Sequence, residues 1–137
     1  MTTRIYLDTS AAAKLFIAER ETPDLQQWLA HQPEFALVSS ALLNVELIRL
    51  LNFVSPNTVK AAEAFLANEV DIVEITPPVL GEAAQVSPTR LRTLNAIHLA
   101  TALDLGENLT TLLTYDKLLI EAARASGLAT ACPGVTV

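Results

Sequence analysis

The chain alternates short apolar segments with longer segments of helical character, and this alternation constrains the fold more than any other feature. The segments predicted as strands span residues 5–7, 35–38, 70–75, 112–114 and 128–131. The segments predicted as helices span residues 11–17, 23–30, 41–54, 57–67, 79–86 and 91–105, with a last helix capped by 115–116 and ending at 125. Short apolar strands separated by helices are typical of an α/β fold whose parallel sheet is covered on both faces.

Length and composition predict one domain over residues 1–137 and exclude several classes of protein. A chain with 51% hydrophobic and 18% charged residues is not a disordered tail. Its apolar stretches are far shorter than the ~18 residues of a membrane span. The first residues lack the pattern of a signal peptide, and the lone Cys132 has no partner for an internal disulfide. We therefore expect a cytoplasmic protein without a membrane segment.

The net charge limits the kinds of partner. Nine Lys and Arg residues stand against fifteen Asp and Glu residues, which gives a formal charge of −6. A general basic surface for nucleic acid is therefore absent. A nucleic-acid enzyme is still compatible with this charge, because bound divalent cations supply positive charge that the sequence does not show. A protein partner is expected to be basic.

Two acidic residues stand at or just after the ends of predicted strands. Asp8 follows the first strand, and Asp116 stands close behind the strand at 112–114. Each is equally well explained as the N-cap of the helix that comes next. Because ligands of parallel sheets bind beyond the carboxyl ends of the strands, both carboxylates are also candidates for one shared crevice.

Glu46 stands in a strongly apolar helix, with leucines one turn away on either side. A carboxylate in such surroundings needs a compensating cation or a proton. One interpretation is an ion pair with Arg49 on the same helix face. The other is a metal ligand that reaches the crevice.

Asn95 and His98 lie three residues apart and share one face of a predicted helix. A single histidine in an apolar helix is most often a hydrogen-bonded core residue. Asn95 alone is explained as a polar residue near the start of its helix. Acids from separate segments are the ligands that a site for Mg²⁺ or Mn²⁺ requires, since these ions prefer carboxylate and water oxygens.

The order of four motifs carries a resemblance to a known family. The sequence resembles the PIN-domain ribonucleases, and within them the VapC-type toxins of toxin–antitoxin pairs. The matching segments are IYLDTSA at 5–11, SALLNVE at 40–46, LNAIHLATA at 94–102 and LTYD at 113–116. They place Asp8, Glu46, Asn95 and Asp116 at the family's acidic positions, over nearly the whole chain.

The resemblance implies a three-layer α/β/α sandwich with a mainly parallel central sheet and an acidic pocket that holds Mg²⁺ or Mn²⁺. It implies endonucleolytic cleavage of RNA, with tRNA a common target class. It also implies a homodimer and inhibition by a cognate antitoxin with a basic segment. Asp8, Glu46, Asn95 and Asp116 would be the catalytic and metal-binding residues, with Asp8 as the central metal ligand.

Asn95 departs from the family pattern, which usually has aspartate at this position. An amide keeps the shape of the side chain and one oxygen but removes a negative charge, which weakens the attraction for a second dication. Catalytic impairment is the expected result. Two origins are open, a natural substitution or a deliberate change that silences a toxic protein, and the otherwise intact motif favours the deliberate change.

Hydroxyl and basic residues near these motifs have candidate supporting roles. Thr9, Ser10 and Thr114 are expected either to orient ligands or to cap helices and pack strands. The candidates for RNA phosphate contacts are Lys14, Arg49, Arg90 and Arg92. Each of these four residues is also explained as a solvated surface charge.

The sequence leaves one rival from another functional class. In that interpretation the acidic pocket catalyses nothing and only binds an arginine-bearing partner segment. Asn95 favours it. A phosphatase on a different α/β sheet is a weaker alternative, because such enzymes usually carry a second Asp two residues after the first, where Ser10 stands.

Overall fold

A five-stranded parallel sheet forms the centre of the computed structural model, which describes residues 3–136. The strands are β1 Thr3–Leu7, β2 Phe35–Ser40, β3 Val70–Val73, β4 Thr111–Leu113 and β5 Thr130–Ala131. The helices are α1 Thr9–Ala13, α2 Thr22–Ala30, α3 Leu42–Val54, α4 Val59–Asn68, α5 Pro77–Ala83, α6 Thr93–Leu105 and α7 Lys117–Ala125. Short 3-10 turns at Pro56–Thr58 and Gly106–Asn108 precede α4 and β4.

The strand order, β3-β2-β1-β4-β5, places β1 at the centre of the sheet. Ile5 is aligned with Leu37 of β2 on one side and with Thr111 of β4 on the other. The chain first adds β2 and β3 on one side of β1 and then crosses over to add β4 and β5 on the other. The direction of winding therefore switches between β1 and β4, and a crevice is expected at their carboxyl ends.

The alternation of side chains along β1 divides the core into two layers. Ile5 and Leu7 pack in one cluster with buried residues of α1, α2, α3 and α4. Tyr6 points to the opposite face and packs in a second cluster with residues of α6 and α7 such as Leu99 and Leu119. This arrangement confirms the predicted three-layer α/β/α sandwich.

Helix α1 is shorter than the predicted 11–17. After Ala13 the amides of Leu15 and Phe16 bond to carbonyls three residues back, so the chain tightens into turns. Phe16 then stacks edge-on against Phe65 of α4, with ring centroids 5.4 Å apart. Packing of this segment against a neighbouring helix, rather than local helix preference, ends α1.

Other predicted boundaries are wrong by a few residues. Thr22 lies inside α2 rather than capping it, because its hydroxyl donates to the Lys14 carbonyl. Helix α5 begins at Pro77 behind the N-cap Thr76, and α6 begins at Thr93 rather than at 91. Strand β3 ends at Val73, and β5 keeps two of the four predicted residues. Gly127, with φ +87°, follows α7 as predicted for a helix end.

Within residues 3–136 no helix combines the length and apolar character needed to cross a bilayer. Cys132 is a free, partly buried thiol next to Pro133.

The core predicts a contrast between two positions of α3. Leu47 is fully buried, whereas Val45 is 57% exposed. Leu47→Ala is expected to lower the free energy of unfolding by about 2–5 kcal/mol, since it removes buried methyl groups and leaves a cavity. Val45→Ala should change it by less than about 0.5 kcal/mol. Urea denaturation followed by circular dichroism measures both, and equal losses would contradict the assigned packing of α3.

Candidate active site

A pocket of about 310 Å³ lies at the switch between β1 and β4. It is lined by the four residues of the predicted acidic set, by neighbouring hydroxyl residues and by the start of α6: Asp8, Thr9, Ser10, Glu46, Arg92, Thr93, Leu94, Asn95, His98 and Asp116. The fold thus brings together side chains from four segments that are far apart in sequence.

Asp8 is buried at the end of β1, with 2% of its surface exposed. As the N-cap of α1, it accepts a hydrogen bond from the Ala11 amide at 3.0 Å. The Ser10 hydroxyl lies 2.8 and 2.9 Å from its two oxygens, and the Thr114 hydroxyl donates to Oδ2 at 2.6 Å. Burial raises the pKa of Asp8, and the bond from Thr114 offsets part of this rise. A negative charge here therefore costs free energy until a cation compensates it.

Glu46 is held by two bonds to the same oxygen. The Thr9 hydroxyl and His98 Nε2 each lie 2.7 Å from Oε1, while Oε2 has no hydrogen-bonding partner among residues 3–136. Burial raises the pKa of Glu46, but the bonds from His98 and Thr9 outweigh it and hold the pKa below its usual range. Of the two interpretations of Glu46, the ion pair with Arg49 is wrong, since the carboxylate turns toward His98 and Arg49 is exposed.

Asn95 and Asp116 are joined by a hydrogen bond. Asn95 Nδ2 donates to Asp116 Oδ2 at 3.0 Å, and the Leu119 amide donates to Oδ1 at 2.9 Å as Asp116 caps α7. A carboxylate only accepts hydrogen bonds, so the amide nitrogen of Asn95 must face it. Both Asp8 and Asp116 therefore cap helices and also line the pocket.

His98 is the buried, hydrogen-bonded residue that its apolar helix predicts, with 1% of its surface exposed. The sequence did not reveal that its Nε2 reaches Glu46, or that the Tyr6 hydroxyl lies 2.7 Å from its Nδ1. The available signals were the three-residue spacing from Asn95 and a tyrosine in a buried strand, whose hydroxyl needs a partner.

The predicted supporting residues divide into two groups. Ser10 and Thr114 orient Asp8, and Thr9 orients Glu46. Ser10 also accepts a bond from the Tyr115 amide at 2.8 Å, which ties α1 to the end of β4.

The predicted RNA-contacting residues differ in their distance from the pocket. Arg92 is exposed and lines it, whereas Arg49 and Arg90 are exposed outside its lining. Lys14 is buried, pairs with Glu19 and Glu21 at 3.4 and 3.5 Å, and lies over the Tyr115 ring. The structure does not bring Lys14 to the pocket.

The pocket offers oxygen ligands but no ready-made cage for a metal. In the described part of the chain, no three His, Cys, Asp or Glu side chains are grouped closely enough to hold one ion. Mg²⁺ commonly binds through one or two carboxylates and keeps several waters. The carboxylates of Asp8, Glu46 and Asp116, with the amide oxygen of Asn95, fit such a water-rich site.

Comparisons with known proteins agree with this architecture. A family model described as PIN domain matches residues 5–125. Ribonuclease VapC47 of Mycobacterium tuberculosis (strain CDC 1551 / Oshkosh) is 41% identical over 133 residues, covering 95% of this chain and 97% of the relative. Ribonuclease VapC35 of the same organism is 44% identical over 132 residues, with 95% and 97% covered.

Solved structures share the fold at lower identity. Mycobacterium tuberculosis VapC20, described as a sarcin-ricin loop cleaving toxin, gives a TM-score of 0.75 at 19% identity, covering 94% of this chain and 99% of that one. FitAB bound to a DNA fragment gives 0.71 at 18% identity, covering 97% of both chains. The chain belongs to the PIN-domain family. Within that family it is of the VapC toxin type.

The burial of Asp8 predicts a pH-dependent cost in stability. A raised pKa in the folded state means that the stabilising contribution is largest at low pH and is lost as the pH rises through that pKa. In EDTA at neutral pH, Asp8→Asn should therefore raise the melting temperature, and the gain should shrink as the pH falls through the raised pKa toward the ordinary aspartate value of about 3.9. Asparagine caps helices as well as aspartate does, so α1 is expected to persist.

Differential scanning calorimetry across this pH range measures the effect. Asp104→Asn, at an exposed position of α6, is the matched control and should shift the melting temperature little. A lower melting temperature for Asp8→Asn at every pH would show that the hydrogen bonds of the carboxylate outweigh its desolvation.

Proposed function

We propose that this protein is the RNA-cleaving toxin of a toxin–antitoxin pair and that its cleavage depends on Mg²⁺ or Mn²⁺. The observation that carries the proposal is the convergence of Asp8, Glu46 and Asp116 on one pocket at the switch point of the sheet. The sequence identity of 41% and 44% to two ribonucleases of the VapC group supports RNA as the substrate. The proposed site of action is the cytoplasm.

The chemistry of the pocket fits a hard divalent cation. Asp8 and Asp116 would hold it, with Glu46 and the amide oxygen of Asn95 as direct or water-mediated ligands. When bound, such a cation activates water and offsets the charge of a phosphodiester. Asp8 has the strongest need for it, because its buried charge has no cationic partner at hydrogen-bonding distance among residues 3–136.

The chain's own residues supply orientation and charge. The serine and threonine hydroxyls fix Asp8, so this carboxylate does not reorganise when a ligand arrives. The bonds from His98 and Thr9 hold the pKa of Glu46 below its usual range, and Oε2, which has no donor among residues 3–136, can accept a hydrogen bond from water or substrate. Arg92 at the rim would contact RNA phosphates, which position an RNA without reading its sequence. Arg49 and Arg90 remain more distant candidates for such contacts.

The substrate proposed first is tRNA. The sarcin-ricin loop, which VapC20 is described as cleaving, is the alternative. Both are folded RNAs that offer exposed loops, where unstacked bases are accessible.

The partners proposed are a second copy of the chain and an antitoxin with a basic segment. The net charge of −6 and the acidic pocket complement a basic peptide. Structural neighbours that are toxin–antitoxin complexes support an antitoxin partner.

A second candidate function follows from the bond between Asn95 and Asp116. This bond occupies a carboxylate oxygen that a cation would otherwise use. A pocket of this kind that binds a basic segment and catalyses nothing is the alternative. The two candidates differ in whether restoring an acid at position 95 restores cleavage.

Asn95→Asp is expected to increase Mg²⁺-dependent RNA cleavage by at least about a hundredfold. The change restores a full ligand charge beside the cation, and each ~1.4 kcal/mol of transition-state stabilisation is worth tenfold in rate. Single-turnover cleavage of a total tRNA pool and of ribosomal RNA measures the effect. Asn95→Asp combined with Asp8→Ala is the control and should be inactive. A single variant no faster than the original chain would favour the binding protein.

The same substitution should make folding stability dependent on metal. Replacing the amide by a carboxylate turns the 3.0 Å contact with Asp116 into a repulsion between like charges. The melting temperature of Asn95→Asp in EDTA should fall below that of the original chain. Millimolar Mn²⁺ should raise the melting temperature of Asn95→Asp by more than it raises that of the original chain. Asp8→Ala should show almost no shift with Mn²⁺. Equal shifts in all three proteins would argue against a shared cation site.

A further inference from the structure

A line of hydrogen bonds runs from the core to the pocket through His98. The Tyr6 hydroxyl lies 2.7 Å from Nδ1, and Nε2 lies 2.7 Å from Glu46 Oε1, where the Thr9 hydroxyl also bonds at 2.7 Å. These side chains come from β1, α6, α3 and α1, so the line joins four elements that surround the pocket.

The direction of these bonds follows from the chemistry of the groups. The ionised Glu46 carboxylate only accepts, so His98 Nε2 must donate to it. On the other side of the ring, Nδ1 forms a hydrogen bond with the Tyr6 hydroxyl, which is fully buried. The two rings also meet edge-on at 5.7 Å, which restrains the imidazole plane. Tyr6 thus fixes the orientation of His98, and Nε2 is directed at Glu46.

This line determines which oxygen of Glu46 is available. Oε1 is occupied by His98 and Thr9, whereas Oε2 has no protein donor among residues 3–136. The Glu46 side chain is 20% exposed and has several rotatable bonds, so it would sample other rotamers without these contacts.

We propose that His98 is a positioning residue: held by Tyr6, it orients Glu46 so that Oε2 is presented to the divalent cation and its waters. The inference rests on the proposed function and adds two residues to the pocket's machinery that act through another side chain. Outer contacts of this kind commonly change metal affinity or activity by 10–100-fold when removed.

Three variants separate positioning from packing. His98→Leu has similar volume but no donor, His98→Gln keeps a nitrogen donor close to the position of Nε2, and Tyr6→Phe keeps the ring without the hydroxyl. Leu99→Ala, in the buried residue next to His98, is the control for lost stability alone. The affinity for Mn²⁺ is measured by isothermal titration calorimetry on the chain with Asn95. Cleavage is measured in the Asn95→Asp background.

The expected results follow the donor rather than the volume of the side chain. His98→Leu should weaken Mn²⁺ binding by about 10–100-fold and lower kcat, with a smaller change in KM for RNA. His98→Gln should recover part of the affinity, and Tyr6→Phe should lose less than His98→Leu. Leu99→Ala should lower the melting temperature but keep the affinity.

Two results would overturn the inference. One is Mn²⁺ affinity in His98→Leu and Tyr6→Phe equal to that of the original chain. The other is a crystal structure of either variant with the Glu46 carboxylate unmoved. Mn²⁺ binding by the original chain, measured in the same titrations, keeps the proposed function in place when either result rejects the positioning role. An original chain that binds no Mn²⁺, with an Asn95→Asp form that cleaves no RNA, would instead reject the proposed function and this inference together.

Discussion

The burial of one carboxylate, Asp8, at the end of the central strand is the constraint on which the pocket depends. A charge removed from water needs hydrogen bonds, and the chain supplies them from the Ser10 and Thr114 hydroxyls and the Ala11 amide. These donors belong to α1 and to the end of β4, so satisfying Asp8 also fixes how the first helix and the neighbouring strand meet. Burying this carboxylate lowers the stability of the fold, and such a loss of stability is common at functional sites.

The remaining acids are treated differently. His98 and Thr9 bond to Glu46 and lower its pKa, whereas Asp116 accepts hydrogen bonds from the Asn95 amide and from the first turn of α7. Three carboxylates thus stand around one pocket with three separate means of compensation. The protein's own hydrogen-bond donors therefore offset part of the negative charge around the pocket.

The sequence predicted the three layers and the parallel sheet of the fold better than it predicted the ends of the helices and strands. Alternating strands and helices imply a covered parallel sheet, and every predicted strand is present. Ends such as that of α1 depend on tertiary contacts, here Phe16 against Phe65, which no local pattern contains. The positions of Asp8 and Asp116 follow from strand ends alone. The partner of Glu46 could not be predicted in this way. Arg49 is its nearby candidate in the sequence, whereas the fold brings the distant His98 into contact with it.

The central position of β1 has a consequence for the pocket's motions. A strand bonded to a neighbour on both sides opens only when much of the sheet opens, so its amides should be among the slowest to exchange with solvent. The two-residue edge strand β5 has pairing on one side and should exchange sooner. Asp8 directly follows this strand and Tyr6 lies within it, so the pocket is built on a part of the sheet that is expected to open rarely. A flexible RNA loop or antitoxin segment would adjust its own shape to this rigid pocket, and it would bear the entropic cost of ordering.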